Sequence, residues 1–387
     1  MKILWLASWY PNPLFPYDGD FILRHARALA ALTPVTVIYV AQWGVDLNVK
    51  KNEIIERENE GVKEKIIFFR YRKTGFRWID KFIYNLKFYS TYKKVIYQHF
   101  DKVGKPDIVH VHVPMKAGVI ARWIFRKWGI SYIVSEHSSL YDRAAPENFF
   151  TRSHLHRTTV KKIFNNASSV TNVSTAVGEL LKKIFGLPEI SVIHNTVDTN
   201  FFKYNGASPA RFRFIHVSTL SFQKNIEGML NVVSLLAKQR QDFEFVLVGP
   251  VSDQIQNLIV QNELQSVVKC TGEISYPKVA TQMQHASALV LFSRYENFPC
   301  VLIEALCCGL PCISTNVGGI SEAIDKSNGV LIPPGNENEL SAAMNNMINE
   351  YHKFDRATIS ANAMKKYSYT AIGKQFMDLY KEILKTS

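Results

Sequence analysis

Glu296 and Glu304 form a Glu-x7-Glu pair inside RYENFPCVLIEALCCGLPCIST, residues 294–315. The stretch reads as strand, turn, helix, turn, strand. Residues 289–292 are a short buried strand. Asn297 stands where a helix N-cap belongs, and Pro299 in the first turn, which has no use for the missing N–H. Gly309 and Pro311 stop the helix, and residues 312–315 begin the next strand. A helix opening at the carboxyl edge of a parallel sheet presents free N–H groups and so attracts an anion. Glu304 lies almost two turns past the cap, on the side of Glu296 and about 10 Å further on. A phosphate at the helix start would then have a sugar ring near Glu296 and a ribose near Glu304. Spacing alone does not select this pair, because Glu56 and Glu64 repeat it in a charged stretch without strand, cap or stop signals. The surrounding elements do.

Those elements need a sizeable scaffold. A chain of 387 residues suits two domains, each with its own core. Hydrophobic residues at 47% and charged residues at 20% describe a soluble globular protein. No apolar run approaches the ~18 residues of a membrane span. The N-terminal ILWLAS is too short and too lightly flanked for a signal peptide and reads as a first buried strand. Five cysteines, four of them between Cys300 and Cys312, fit neither a disulfide framework nor paired zinc spacing. They read as reduced core thiols of a cytoplasmic protein. Residues 1–190 carry 29 Lys+Arg and 16 Asp+Glu, whereas the remainder carries 17 of each. The excess therefore points the first half towards an acidic surface or substrate.

Along the chain, strands and helices alternate. Residues 2–8, 35–40, 107–113, 130–135 and 169–173 read as strands of the first domain, several as the continuous apolar runs of parallel sheets. The loop after the first strand carries Gly19, which would let the backbone approach a ligand closely. Asp18 and Asp20 around it have the D-x-D spacing of a metal-nucleotide site, but acids at a helix start also suit the dipole, and no metal is expected. Residues 44–64 read as a charged loop or insertion and 66–71 as a strand. Residues 77–100 have helical period with two apolar stripes. Ile79, Phe82, Ile83, Leu86 and Tyr89 are expected in the core; Tyr84, Phe88 and Tyr92, beside Arg77 and Lys81, are expected on the open face. Residues 63–105 hold 12 Lys+Arg, three acids and 12 aromatics, a composition suited to an anionic lipid surface. His110 and His112 read as interior histidines, and His137 ends a strand at a carboxyl edge. The second half repeats the alternation from residue 212, after a linker near 203–209.

Two facing Rossmann-like, doubly wound α/β domains follow. The expected division is 1–203, 204–366 and a last amphipathic helix within 367–387. There is no G-x-G-x-x-G after the first strand and no G-x4-G-K-[ST], which argues against a dinucleotide enzyme and a P-loop NTPase. Over most of its length the chain resembles retaining glycosyltransferase family 4, which has the GT-B fold. Glu296, Phe298, Pro299, Glu304, Ala305, Gly309 and Pro311 match its donor motif, with Asn297 in place of a common Gly. Asn195, Val197 and Asp198 match its interdomain linker, and Gly318, Gly319 and Glu322 its G-G-x-x-E turn.

The resemblance implies transfer of a sugar from a nucleotide-diphosphate sugar to an acceptor with retention, without a divalent metal or other cofactor. It also implies a final helix that crosses back to the first domain. Glu296 would bind donor-sugar hydroxyls and Glu304 the ribose diol. Backbone N–H groups near Phe298, Val301 and Leu302 would meet the β-phosphate, and Gly19 would border the donor. In the loop from Ser218 to Asn225, Lys224 matches the family's phosphate Lys, and Thr219 stands where an Arg is expected. Ser218, Thr219 and Asn225 would supply hydroxyl and amide donors. His137 would line the reaction centre. The expected partners are the donor, a glycan or lipid-linked acceptor and the anionic inner face of the cell membrane, not nucleic acid. The setting would be cell-envelope polysaccharide, lipopolysaccharide or capsule synthesis. A nucleotide-sugar 2-epimerase on the same architecture, and a non-catalytic membrane- or polyanion-binding protein, are the competing readings.

Overall fold

In the computed structural model, which describes residues 1–42, 53–207 and 209–386, the apolar runs become strands covered on both faces. The first sheet contains β1 (Ile3–Ala7), β2 (Val35–Gln42), β3 (Glu53–Asn59), β4 (Val62–Phe69), β5 (Ile108–His112), β6 (Tyr132–Glu136), β7 (Ser169–Asn172) and β8 (Ser191–Val192). Its order is β3-β4-β2-β1-β5-β6-β7-β8, with β3 antiparallel to β4 and the other pairs parallel. The helices of this half are α1 (Asp20–Ala30), α2 (Arg77–Val103), α3 (Ala117–Trp128), α4 (His154–Asn165) and α5 (Thr175–Phe185).

The second sheet is parallel throughout, in the order β11-β10-β9-β12-β13-β14. Its strands are β9 (Phe212–Val217), β10 (Phe243–Val248), β11 (Val268–Gly272), β12 (Ala288–Leu291), β13 (Cys312–Thr315) and β14 (Gly329–Ile332). Its helices are α6 (Ile226–Gln239), α7 (Asp253–Gln261), α8 (Tyr276–Gln284), α9 (Cys300–Cys307), α10 (Glu337–Glu350) and α11 (Arg356–Tyr367). In each sheet the order turns back beside the first strand, at β1/β5 and at β9/β12. Doubly wound sheets open their ligand crevices at such points, outside the carboxyl ends of the strands. The last helix, α12 (Tyr369–Thr386), returns to the first domain. Its Ile372, Phe376 and Tyr380 are buried with Trp5, Ile22 and Leu29, and the Tyr380 hydroxyl accepts from Trp5 Nε1 at 3.0 Å.

Two expectations fail here. Residues 53–64, expected as loop, form β3 and the start of β4; residues 44–52 lie outside the described residues, as does Ser208 of the expected linker. Glu64 is buried, accepting from Arg57 and from the Tyr10 hydroxyl. A solvated face concealed the strand alternation.

The two stripes of α2 are also exchanged. Phe88 is 2% exposed, and with Tyr92, Val95, Ile96 and Phe100 it faces the sheet; the Tyr92 hydroxyl donates to Ile38 O at 2.8 Å. Trp78 at 74%, Phe82 at 62% and Leu86 at 56% stand in solvent. Ile79, Ile83, Tyr84 and Tyr89 are half-buried. A helix with two apolar stripes does not itself say which one the sheet will cover.

Candidate active site

The two crevices meet in one cavity of about 590 Å³. The first domain lines it with Trp9, Tyr17, Asp20, Phe21, Arg24 and His137; the second contributes Ser218, Thr219, Lys224, Glu296, Val301 and Glu304, among others. A separate cavity of about 500 Å³ lies by Met1, Pro34, Glu58 and Lys102, away from every candidate residue.

Lys224 closes a single 3-10 turn, Phe222–Lys224, in the loop after β9. Asn225 follows in the left-handed region at φ 52°, which lets the chain turn sharply into α6; it is buried and serves the turn, outside the cavity lining. Ser218 is tied down, its hydroxyl 2.7 Å from His216 Nε2 and accepting from Leu220 N–H at 2.9 Å. Thr219 lines the cavity. Lys224 Nζ is ion-paired with Glu296, which also accepts from Ser293 Oγ at 2.8 Å and Gln223 Nε2 at 3.2 Å. Behind Glu296 runs the Gly318–Gly319 turn: a Cβ on Gly318, at φ +55°, would lie 2.2 Å from Glu296 O. Glycine there lets two loops touch backbone to backbone.

The helix after Glu296 starts later than its sequence suggests. Pro299 caps α9, and Asn297 does not. Asn297 is drawn to the other domain instead, accepting from Ser174 Oγ at 2.7 Å and donating to His137 O at 3.2 Å. Phe298 stacks on His194 at 4.5 Å between ring centroids, and its carbonyl accepts from Asn195 Nδ2 at 2.6 Å. Val301 borders the cavity, but Leu302 is a core residue whose N–H already donates to Pro299 O at 3.2 Å. Leu302 is therefore not placed to meet a phosphate.

Glu304 sits in the cavity wall but is not an open surface carboxylate. It accepts from Arg24 Nη1 at 2.5 Å and from the Tyr276 hydroxyl at 3.2 Å. Burial pushes its pKa upward, and the adjacent Arg24 charge is the chief opposing influence. Sequence reasoning missed Arg24 and Tyr276. The available signal was a charged pair, Asp20 and Arg24, one helical turn apart, with Arg24 on the buried face of α1.

His137 follows β6 and lines the cavity. Its ring packs over Phe21 at 4.8 Å, His112 at 5.3 Å and His25 at 5.5 Å. His112 Nδ1 and His137 Nε2 lie 3.0 Å apart. Burial first, then neighbouring histidines, hold both well below the ordinary imidazole value, so His137 acts as a neutral hydrogen-bonding group. His25 is pushed down to about 4, again mainly by burial. His25, His112 and His137 also bring one ring nitrogen each within 4.8 Å of one another. His110 is satisfied by Tyr380 and Ser135, whereas His112 Nε2 has no partner among the described residues.

Gly19 supports the site without bordering it. At φ +66° it packs on the Trp9 backbone, 2.7 Å from an added Cβ. The D-x-D pair diverges: Asp18 lines a small separate cavity with Tyr39 and Lys116, while Asp20 pairs with Arg24. Cys300 borders the main cavity, its thiol pushed up to about 12 by burial, and is no nucleophile.

Two doubly wound domains set crevice to crevice define the GT-B fold. Family models agree over nearly the whole chain: Glycosyltransferase Family 4 matches residues 15–201, and Glycosyl transferases group 1 matches residues 197–370. The chain belongs to the family 4 glycosyltransferases. It is 25% identical over 397 residues to an uncharacterized glycosyltransferase of Methanocaldococcus jannaschii, covering 99% of each chain. It is 25% identical over 370 residues to TuaC of Bacillus subtilis, a glycosyltransferase assigned to teichuronic acid biosynthesis, covering 89% of this chain and 88% of that one. Its fold matches that of HepE from Anabaena, solved in complex with UDP, with a TM-score of 0.74 at 20% identity, covering 99% of this chain and 100% of that one.

Proposed function

We propose that the enzyme moves a sugar from a nucleoside-diphosphate sugar to a glycan or lipid-linked acceptor, with retention and without a divalent metal. The observation that carries this is the single cavity that gathers Lys224, Glu296 and Glu304 from the second domain opposite His137 of the first. The departing diphosphate gains charge as the glycosidic bond breaks, and a preorganised cation stabilises it most where water is excluded. Lys224 is that cation, and Glu296 holds it in place while offering acceptors to sugar hydroxyls. Both carboxylates already have cationic partners, Lys224 and Arg24, which supports charge stabilisation by side chains. No buried nucleophile is required: the leaving phosphate takes the acceptor proton on the same face of the sugar.

A thermal-shift panel with UDP-, GDP- and ADP-sugars tests the donor. A ligand at about 100 times its Kd adds roughly 2.7 kcal/mol to the folded state. One nucleotide series should therefore raise Tm by about 5 °C or more. Transfer should survive EDTA, and the product should keep the donor's anomeric configuration by NMR. Loss of transfer with EDTA would end the metal-free reading, and an inverted product the retaining one.

The likeness to a teichuronic acid enzyme supports a cell-envelope acceptor, and the first half of α2 supports work at a membrane surface. No described helix is long and apolar enough to cross a membrane. Phe76, Trp78, Phe82 and Leu86 are nevertheless exposed, in a stretch that also carries Arg72, Lys73, Arg77, Lys81 and Lys87. Each cation near an anionic surface contributes up to about 1 kcal/mol. Sedimentation with liposomes should show binding that requires anionic lipid, weakens with salt, and falls several-fold in a Trp78→Ser, Phe82→Ser double variant. These side chains are in solvent, so the variant keeps its fold, whereas changing the buried Phe88 would not leave the fold intact. Equal sedimentation of the double variant and wild type would remove α2 from the membrane reading.

A further inference from the structure

We propose that Arg24, carried by the first domain, is a positioning residue for the donor ribose: its contact with Glu304 completes the ribose site only when the two domains close. The inference rests on the assignment of Glu304 to the ribose diol. The contact joins residues 280 positions apart, one on α1 and one on α9. Arg24 Nη1 reaches Glu304 Oε1 at 2.5 Å and donates to the Tyr276 hydroxyl at 2.9 Å, while Nη2 is held by Asp20. The guanidinium lies 4.9 Å over the Tyr276 ring. Arg24 is 7% and Glu304 5% exposed, and Arg24 and Lys224 are the two Lys or Arg side chains lining the cavity among the described residues.

The chemistry follows from the diol. Two ribose hydroxyls donate two hydrogens, and an ionised carboxylate, an acceptor at both oxygens with no proton of its own, receives them best. The hydrogen bonds Glu304 receives from described residues both end on Oε1, which leaves Oε2 as an acceptor. Glu304 is deeply buried, and burial favours its protonated form; Asp20 pushes the same way, and Arg24 opposes. Tyr276 and Cys300, which also face this cluster, are both raised by burial and stay neutral between pH 6.5 and 9. Removing Arg24 takes away the chief influence opposing burial and shifts Glu304 towards its protonated form, which accepts less well. In an open molecule Arg24 would leave with the first domain, so ribose recognition and domain closure are one event. A merely structural clasp would affect stability alike for all ligands. A positioning residue changes the discrimination between ribose and its deoxy forms.

Calorimetric titration of the full chain with UDP, GDP and ADP, each beside its 2′,3′-dideoxy form, separates these. For the nucleotide that binds, wild type should prefer the ribose form at least tenfold, and Glu304→Gln should lose that preference. Arg24→Met should weaken it, and the weakening should lessen as pH is raised from 6.5 to 9, because higher pH favours the ionised carboxyl. Its affinity for the dideoxy form should change less than threefold. Arg24→Lys should keep most of the preference, and Arg24→Gln, which retains polarity without charge, should behave as Arg24→Met if the latter does not fold. Equal losses for ribose and dideoxy forms, or tighter binding by the Arg24 variants, would overturn the proposal while leaving Glu304 assigned. An unchanged preference in Glu304→Gln, or binding of none of the nucleotides by wild type, would overturn the ribose assignment and the proposal together.

Discussion

Lys224→Ala should lower turnover by about 10²–10³-fold, the scale of losing one preorganised donor at a developing oxyanion. The effect has two parts. The diphosphate loses the cation paired with Glu296, and Glu296 is left buried with the Ser293 hydroxyl and the Gln223 amide as its donors among the described residues. An unpaired buried carboxylate then repels the incoming diphosphate. Steady-state kinetics with saturating donor separates turnover from binding, since loss of a transition-state interaction lowers kcat and kcat/KM together. Thr219 lines the same cavity, so Thr219→Arg placed on Lys224→Ala should restore part of the rate. Undiminished transfer by Lys224→Ala would show that the leaving group is held elsewhere.

Glu296→Ala should have the next largest effect, with an opposite signature in binding. Charge-assisted hydrogen bonds to sugar hydroxyls contribute about 1.5–3 kcal/mol, so transfer should fall roughly 10- to 150-fold. Free nucleoside diphosphate should bind at least as well as to wild type, because Lys224 is released from its ion pair. This split between nucleotide and nucleotide-sugar marks a residue that reads the sugar. A parallel loss for both ligands would instead make Glu296 a support for the loop that carries Lys224.

The strand-end histidine was visible in the sequence through its place at a carboxyl edge, the two carboxylates through the helix between them together with the family motif, and the lysine through the family motif alone. A β-strand followed by a turn and a helix has a carboxyl edge wherever it packs, so Lys224, Glu296 and His137 fall on cavity walls. Helix stops at Gly309 and Pro311, apolar runs such as those of β5 and β6, and the amphipathic last helix are likewise properties of a few neighbouring residues. Those local signals, together with the family motifs, determined the fold class and the face on which chemistry lies.

The relations between distant segments were decided by tertiary structure. Asn297 has the composition of an N-cap, yet a neighbouring domain offers it Ser174 and the His137 carbonyl, and Pro299 takes the cap position. Both stripes of α2 satisfy helical periodicity, and the sheet surface near Ile38 selects Phe88 and Tyr92 over Phe82 and Leu86. Glu64 looked like a surface charge until Arg57 and Tyr10 enclosed it. Arg24 and Glu304 carry no mutual signal across 280 positions, because an ion pair between domains leaves no periodicity, spacing or composition to read. The sequence by itself determined which residue types stand at the strand ends; only packing of one domain on the other decided which charges meet there, since burial and partner identity are properties of the closed cleft.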